Sequence, residues 1–477
     1  MMDPPPPDTS CAEGTARNRA SFDAHALTNG SDSRPMVTQQ RPSAGYMRGD
    51  SGATPQTRFA RTRVVAAALA CACGSSDVTA PTGTTNGTPV VPARTSFTVG
   101  IAGGFGSGTY TVGDTVYTFG AYTATTNALG GWTGDAVTSA LSEWSGRFVM
   151  PARDVALTVT PQAVNAPLSI GAFVGSTARQ KTLRYYIPPN PRGLLLVFHG
   201  TGGSSRVIEK GEGFAIALEA VAAGYGVLAY EAEESVAGDL DGNGKARWDV
   251  ALTLTNTDFA NLDALVVRLR ATGLISASLP LYAFGMSNGS SMVIALGALA
   301  SQTDLATRFP NLRFRAVAGY CAPGSATAVA ITRTPSAWYV CRNDNNDEVG
   351  ADGVARQQQN STTLQLRGIS TDLAFNEAAP LYDERFTRAG SIDVTTSRAL
   401  VLELKTRGYL DSRRFLNQTP DVISADILRL GAAGFPVLSA LTATQRADVS
   451  DALRETYADH QLFSDQARRM LAFFARF

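Results

Sequence analysis

Leu281-Tyr-Ala-Phe-Gly-Met-Ser-Asn-Gly-Ser-Ser-Met-Val-Ile-Ala-Leu-Gly-Ala-Leu-Ala300 contains a complete strand–turn–helix within twenty residues. The apolar run Leu281 to Phe284 reads as a buried strand, and Ser291 to Ala300 as a helix. Between them stands Gly285-Met-Ser-Asn-Gly289, a G-x-S-x-G turn that presents its serine on a sharp elbow. Side chains at the two flanking positions would collide with strand and helix, so the pattern calls for glycine there. Ser287 is therefore the candidate nucleophile. Further apolar runs share this grammar: Leu194 to Phe198, Gly226 to Tyr230, Phe314 to Tyr320 and Ala337 to Val340, with helical stretches between them. Apolar strands buried on both faces and separated by helices predict a mostly parallel sheet. In such a sheet the site lies beyond the carboxyl ends of the strands.

The loop Phe198-His-Gly-Thr-Gly-Gly-Ser204 follows one of these strands about ninety residues before Ser287. It lacks the GK[ST] ending of a phosphate loop and the full G-x-G-x-x-G spacing of a dinucleotide site. Together, the elbow and the His-Gly-x-Gly loop resemble the α/β-hydrolase superfamily. With Arg184-Tyr-Tyr-Ile-Pro-Pro189, the likeness extends to the polyhydroxybutyrate depolymerase and feruloyl esterase branch, over roughly residues 180 to 477. The resemblance implies that backbone N–H groups of Thr201 and Asn288 hold the oxyanion, with Gly202 as the substitute for Thr201. It also implies the chain order nucleophile, acid, histidine. Of the three histidines, His25, His199 and His460, only His460 comes late enough to be the base. The strand Ala337 to Val340 runs into Cys341-Arg-Asn-Asp-Asn-Asn-Asp-Glu-Val349, which offers Asp344, and alternatively Asp347, as the acid. The implied reaction is ester hydrolysis through an acyl-enzyme, with no cofactor and no metal. A serine peptidase would use the same residues, and a surface adhesion protein with an inert hydrolase domain is the reading from another class. Residues 367 to 447 match no motif and are expected to hold the cap that selects substrate.

Two further features concern the same domain. Asp239-Leu-Asp-Gly-Asn-Gly-Lys245 imitates the start of a calcium loop, but position twelve is Val250 where a bidentate Glu is needed, so a polar turn is expected. Cys321 and Cys341 end successive strands and are expected to pair as a disulfide.

Ahead of this domain the composition changes. Residues 1–60 are rich in Pro, Ser, Gly and Arg without periodicity, which predicts a disordered leader. Residues 61–73 bring a basic cluster, a short apolar run and small residues before Cys71 and Cys73. This resembles a bacterial lipoprotein signal, implying lipidation at Cys73 or Cys71, export to the cell envelope, and a true start downstream of Met1. Residues 74–95 predict a flexible linker. Alternating apolar positions (Phe97, Val99, Ile101; Val155, Leu157, Val159) with Gly-rich turns predict a small antiparallel β module over 96–163. Gly106 to Val116, Gly131-Trp-Thr-Gly-Asp135 and Phe148 to Val155 resemble an internalin-type B-repeat, which implies a spacer or adhesive role; Trp132 is expected to anchor its core. The catalytic domain follows over 166–477.

Composition limits the partners. The chain has 477 residues with 41 basic against 41 acidic side chains, so no long-range field attracts nucleic acid. No apolar run approaches the ~20 residues that span a bilayer. Five cysteines are too few for a disulfide scaffold.

Overall fold

The computed structural model describes residues 95–121, 126–209 and 211–477. The leader, the lipoprotein-type signal with Cys71 and Cys73, and nearly all of the linker lie outside the described residues. Residues from Ala93 to Phe477 form one compact unit.

Its N-terminal part is built from β1 (Ser96–Ala102), β2 (Gly104–Phe105), β3 (Gly108–Thr111), β4 (Thr115–Gly120), β5 (Asn127–Gly134), β6 (Ser145–Val149) and β7 (Val155–Ala163). They form a four-stranded sheet in the order β3-β1-β7-β5 and a three-stranded sheet β2-β4-β6. One pairing departs from the antiparallel expectation: β1 runs parallel to β7, with Val99 beside Val155 and Ile101 beside Leu157. Alternation puts Val99, Val155, Leu157 and Val159 on one buried face with Trp132 and Trp144. Trp132 is buried there, its Nε1 donating to the Glu143 carbonyl at 2.8 Å.

The larger part is an eight-stranded sheet. In chain order it adds β8 (Ser169–Val174), β9 (Gln180–Tyr186), β10 (Leu194–Phe198), β11 (Gly226–Ala229), β12 (Leu281–Met286), β13 (Phe314–Tyr320), β14 (Ser336–Cys341) and β15 (Thr371–Asn376). The spatial order is β15-β14-β13-β12-β10-β11-β9-β8, parallel from β15 through β11 and antiparallel at β9 and β8. This is the α/β-hydrolase fold. Successive residues of β10 feed opposite layers. Leu194, Leu196 and Phe198 pack with the helices Thr257–Ala271 and Asn288–Leu299. Leu195 and Val197 pack with the helices Gly211–Ala222 and Ala467–Phe474. A strand sandwiched this way has no polar face, which is why its sequence is continuously apolar.

Residues 381–457 fold mainly as helices around their own core, which includes Leu381, Phe386, Leu400, Leu404, Ile423, Phe435 and Leu453. The expected cap region is therefore helical over most of its length. Its first residues instead contribute Thr371–Asn376 to the sheet as the edge strand β15.

The β module is fastened to the hydrolase part by buried polar contacts. Glu219, on the helix Gly211–Ala222, accepts from the Leu129 N–H at 2.7 Å and from Trp144 Nε1 at 2.8 Å. Glu143 reaches the other way and accepts from the backbone N–H groups of Arg468 and Arg469 at 3.2 and 2.7 Å, where the C-terminal helix begins. Tyr382 stacks on both Phe105 and Phe119, with ring centroids 5.0 and 4.4 Å away. No helix among the described residues is long and apolar enough to cross a membrane.

Candidate active site

Ser287 occupies φ 60°, ψ −122° between β12 and the helix Asn288–Leu299, a left-handed backbone position that a non-glycine residue rarely takes. The strain is held by close backbone contacts. A Cβ on Gly285 would lie 2.3 Å from the Gly289 carbonyl oxygen, and one on Gly289 would lie 2.2 Å from the Phe198 oxygen and 2.6 Å from that of His199. Both glycines of the motif are thus required by backbone atoms that cannot move aside. The Ser287 N–H donates to the Tyr320 carbonyl at 2.9 Å, tying the elbow to the end of β13.

The His-Gly loop passes directly over the serine: a Cβ on Gly200 would lie 3.2 Å from Ser287 Cβ. Among the described residues, neither the Thr201 nor the Asn288 N–H donates to a protein acceptor, which leaves both available to an oxyanion. The alternative donor is already committed, since the Gly202 N–H donates to the Ala246 carbonyl at 2.7 Å. The Asn288 side chain is pinned in turn, its Oδ1 accepting from the Trp248 N–H at 2.7 Å.

His199 plays a different part from His460. Its Nε2 accepts from the Ala232 N–H at 3.3 Å, so the proton sits on Nδ1, which donates to the Gly200 carbonyl at 2.8 Å. Burial holds its pKa down to about 4, so the ring is neutral and acts as a strut for the loop. Trp248 packs against it, with ring centroids 4.7 Å apart, and donates from Nε1 to the His199 carbonyl at 2.9 Å.

The structure pairs His460 with Asp344: Nδ1 lies 2.8 Å from Oδ2, and the Asp344 side chain is fully buried. Asp347 is exposed, three residues further along the same loop. Asn343, which no sequence signal singled out, joins the acid and histidine loops. Its N–H donates to the Ala458 carbonyl at 2.9 Å and its Nδ2 to the Tyr457 carbonyl at 2.6 Å. Cys321 and Cys341 are bonded, with S–S 2.04 Å and Cα atoms 5.2 Å apart. The bridge ties the ends of β13 and β14 beneath the histidine loop, where the Gln461 carbonyl lies 3.2 Å from Cys321 Sγ. Among the described residues no hydrogen bond joins Ser287 Oγ to the His460 ring; their neighbours Met286 and Gln461 line the same cavity.

That cavity, about 240 Å³, is also bounded by Gly200, Val207, Leu462 and the cap residues Arg385, Arg388 and Glu455. Burial raises the Glu455 carboxyl to about 8 although Arg385 lies beside it. A second cleft, of about 790 Å³, is lined by Asn288, Trp248, Leu240, Val250, Leu252 and Thr327. A third groove, of about 680 Å³, runs between the β module and the cap at Phe105, Tyr117, Tyr382 and Phe415 and shares no residue with either.

The calcium-like turn is closed by protein donors. Carboxylate oxygens of Glu234, Asp239 and Asp241 come within 4.8 Å of one another. Asp239 accepts from the N–H groups of Gly242, Asn243 and Gly244, Glu234 from those of Leu240 and Arg247, and Asp241 pairs with the Arg247 guanidinium.

No family model and no curated protein matches the chain. Solved structures to which it is similar include a dienelactone hydrolase from Anabaena variabilis (18% identity, TM-score 0.32, covering 44% of this chain and 86% of that one). Another is brefeldin A esterase, a bacterial homologue of human hormone-sensitive lipase (14% identity, TM-score 0.30, 45% and 71%). A third is the acylaminoacyl peptidase of Pyrococcus horikoshii (14% identity, TM-score 0.31, 47% of this chain and 41% of that one).

Proposed function

We propose that this chain is a serine hydrolase that cleaves carboxylic esters through an acyl-enzyme. The observation that carries the reading is the buried Asp344–His460 hydrogen bond, on a loop that borders the same cavity as the strained serine turn. With Nδ1 turned to the Asp344 carboxylate, Nε2 of His460 is left as the base. Ser287 Oγ attacks the ester carbonyl while its proton passes to Nε2, and the new oxyanion accepts from the N–H groups of Thr201 and Asn288. His460 returns the proton to the departing alkoxide, the acyl group stays on Ser287, and water attacking by the reverse path releases the acid and restores the serine.

Two cavities, one lined by Met286 and the other by Asn288, would give the acyl and alcohol portions separate room, which suits polymer-linked esters such as polyhydroxybutyrate or feruloyl esters. A disulfide beside the site favours an oxidising compartment, in keeping with export and lipid anchoring at Cys73 or Cys71. Mass spectrometry of the natural N-terminus tests the anchor, and peptides from residues 1–40 would overturn it.

The activity is tested with short-chain p-nitrophenyl esters beside peptide anilides, on the wild type and on Ser287→Ala and His460→Ala. Turnover of esters that falls to background in both variants supports the proposal. A folded protein inert on esters and unlabelled by a fluorophosphonate overturns it, and turnover of anilides alone identifies a peptidase.

A further inference from the structure

The turn that supplies one oxyanion donor is close-packed at Gly200 and Gly203 but open at Gly202, the residue after that donor. Gly202 takes φ 70°, and a Cβ built there would meet nothing within 4 Å. At that open edge the direction of the Thr201 N–H is held by the hydrogen bonds around it. The Gly203 N–H donates to the Gly200 carbonyl at 3.0 Å, the Gly202 N–H to the Ala246 carbonyl at 2.7 Å, and Thr201 Oγ1 to Glu348 Oε2 at 3.1 Å. The second oxygen of Glu348 takes the Lys245 ammonium at 2.7 Å. Thr201 precedes Gly202 and Lys245 precedes Ala246, so Glu348 holds the residue next to each partner of the Gly202 bond. Glu348 itself stands four residues beyond Asp344 on the acid loop.

We infer that Glu348 is a positioning residue for the oxyanion hole: it ties the acid loop to Thr201 and, through Lys245, to the 239–248 segment that also pins Asn288. The inference rests on the ester hydrolase reading of the site. The segment is a suitable anchor because the buried Glu234 carboxylate closes it at the N–H groups of Leu240 and Arg247, and its last residue, Trp248, holds the Asn288 side chain. One braced element thereby sets both donors. The hydrogen bond from Lys245 holds the Glu348 carboxyl below its ordinary range, so it remains an acceptor at neutral pH. The Lys245 and Glu348 side chains are 41% and 34% exposed, and an ion pair that open adds little to global stability. The signature is thus a loss in turnover without a matching loss in folding.

The test uses the full chain, p-nitrophenyl acetate, and a cycle of Thr201→Val, Glu348→Ala and the double variant. Each single change is expected to lower kcat about ten- to a hundredfold with KM little changed, short of or at the low end of what outright loss of an oxyanion donor costs. The double variant is expected to lose no more than the worse single one. Hydrogen exchange at the Gly202 amide, read without substrate, is expected to speed up in Glu348→Ala. Additive losses, a change in KM alone, or unaltered exchange would overturn the brace. Faster exchange in a protein that hydrolyses no ester would support the brace while refuting the ester hydrolase reading.

Discussion

Replacing Asp344 by Asn removes one charge from the candidate site and leaves its shape nearly intact. The carboxylate lies 2.8 Å from His460 Nδ1, on a side chain with no exposure to water. When His460 takes the serine proton, the imidazolium and the carboxylate stand with their charge centres ~4 Å apart, an attraction of about 4 kcal/mol at an effective dielectric of about 20. An amide supplies no such attraction, and no water reaches the position to replace it. A barrier raised by about 4 kcal/mol slows turnover by roughly 10³-fold. If the amide turns its NH₂ toward the ring, the proton is driven to Nε2, the wrong nitrogen for a base, and the loss grows toward about 10⁴-fold. The assay is kcat on p-nitrophenyl butyrate for wild type, Asp344→Asn and Asp347→Asn, with circular dichroism to establish that each is folded. Asp347 is exposed, so its variant is expected to stay within about twofold of wild type, as surface substitutions generally do. A folded Asp344→Asn within tenfold of wild type would refute the reasoning, and so would an equal loss in Asp347→Asn.

Three other perturbations follow from the same structure. Gly289→Ala drives a methyl group against the Phe198 and His199 carbonyls, neither of which can retreat without breaking the sheet or the oxyanion loop. It is expected to cost at least the ~1–3 kcal/mol typical of overpacking, read as a lower urea midpoint together with lost activity; an unchanged midpoint would show that the elbow has slack. The double variant Cys321→Ser/Cys341→Ser opens a cross-link spanning 20 residues and is expected to lose about 3 kcal/mol; equal midpoints for variant and wild type would show that the bridge contributes nothing. His199 has its folded pKa depressed to about 4 by burial, so the unfolded chain binds its proton first as pH falls. Its contribution to stability is complete above the unfolded pKa of about 6.5 and is lost as pH falls toward 4, amounting to about 3 kcal/mol. Urea unfolding at pH 4 to 7 should show the gap between wild type and His199→Asn narrowing by that amount on acidification. Parallel stability curves would exclude His199 as the titrating group.

What the sequence disclosed of this molecule, and what it withheld, follows from the range over which each interaction acts. The elbow was legible because its constraint is local: Gly285 and Gly289 are demanded by atoms within a few residues of the turn and by the strand beside it. The β10 to β14 runs were legible because burial on both faces makes them apolar along almost their whole length, with Arg315 and Ser336 at the entry of β13 and β14 as exceptions. Thr371–Asn376 was not, since an edge strand covered by one neighbour keeps a half-buried polar pattern that resembles a loop. The acid lay open between Asp344 and Asp347 because both sit in one turn, and only the position of a histidine loop 116 residues away separates them. The commitment of the Gly202 N–H was hidden for a similar reason: its acceptor is Ala246, a partner brought in by a separate loop.

The β module is the furthest case. Its alternation and Trp132 were readable, whereas the acids that dock it were not. Glu219 sits on a helix that otherwise reads as apolar packing, and its partners Leu129 and Trp144 precede it by 90 and 75 residues. A buried carboxylate is costly unless donors meet it, and here both donors come from the module. Glu143 repeats the arrangement from the module side, reaching the first N–H groups of the C-terminal helix. Burial raises the pKa of both carboxyls, as expected where their solvation comes from the opposite partner and not from water. Two carboxylates that would be unsatisfied on either part alone argue that module and hydrolase fold against each other as one body. A freely hinged arrangement of the two parts would leave Glu143 and Glu219 without the donors their burial requires.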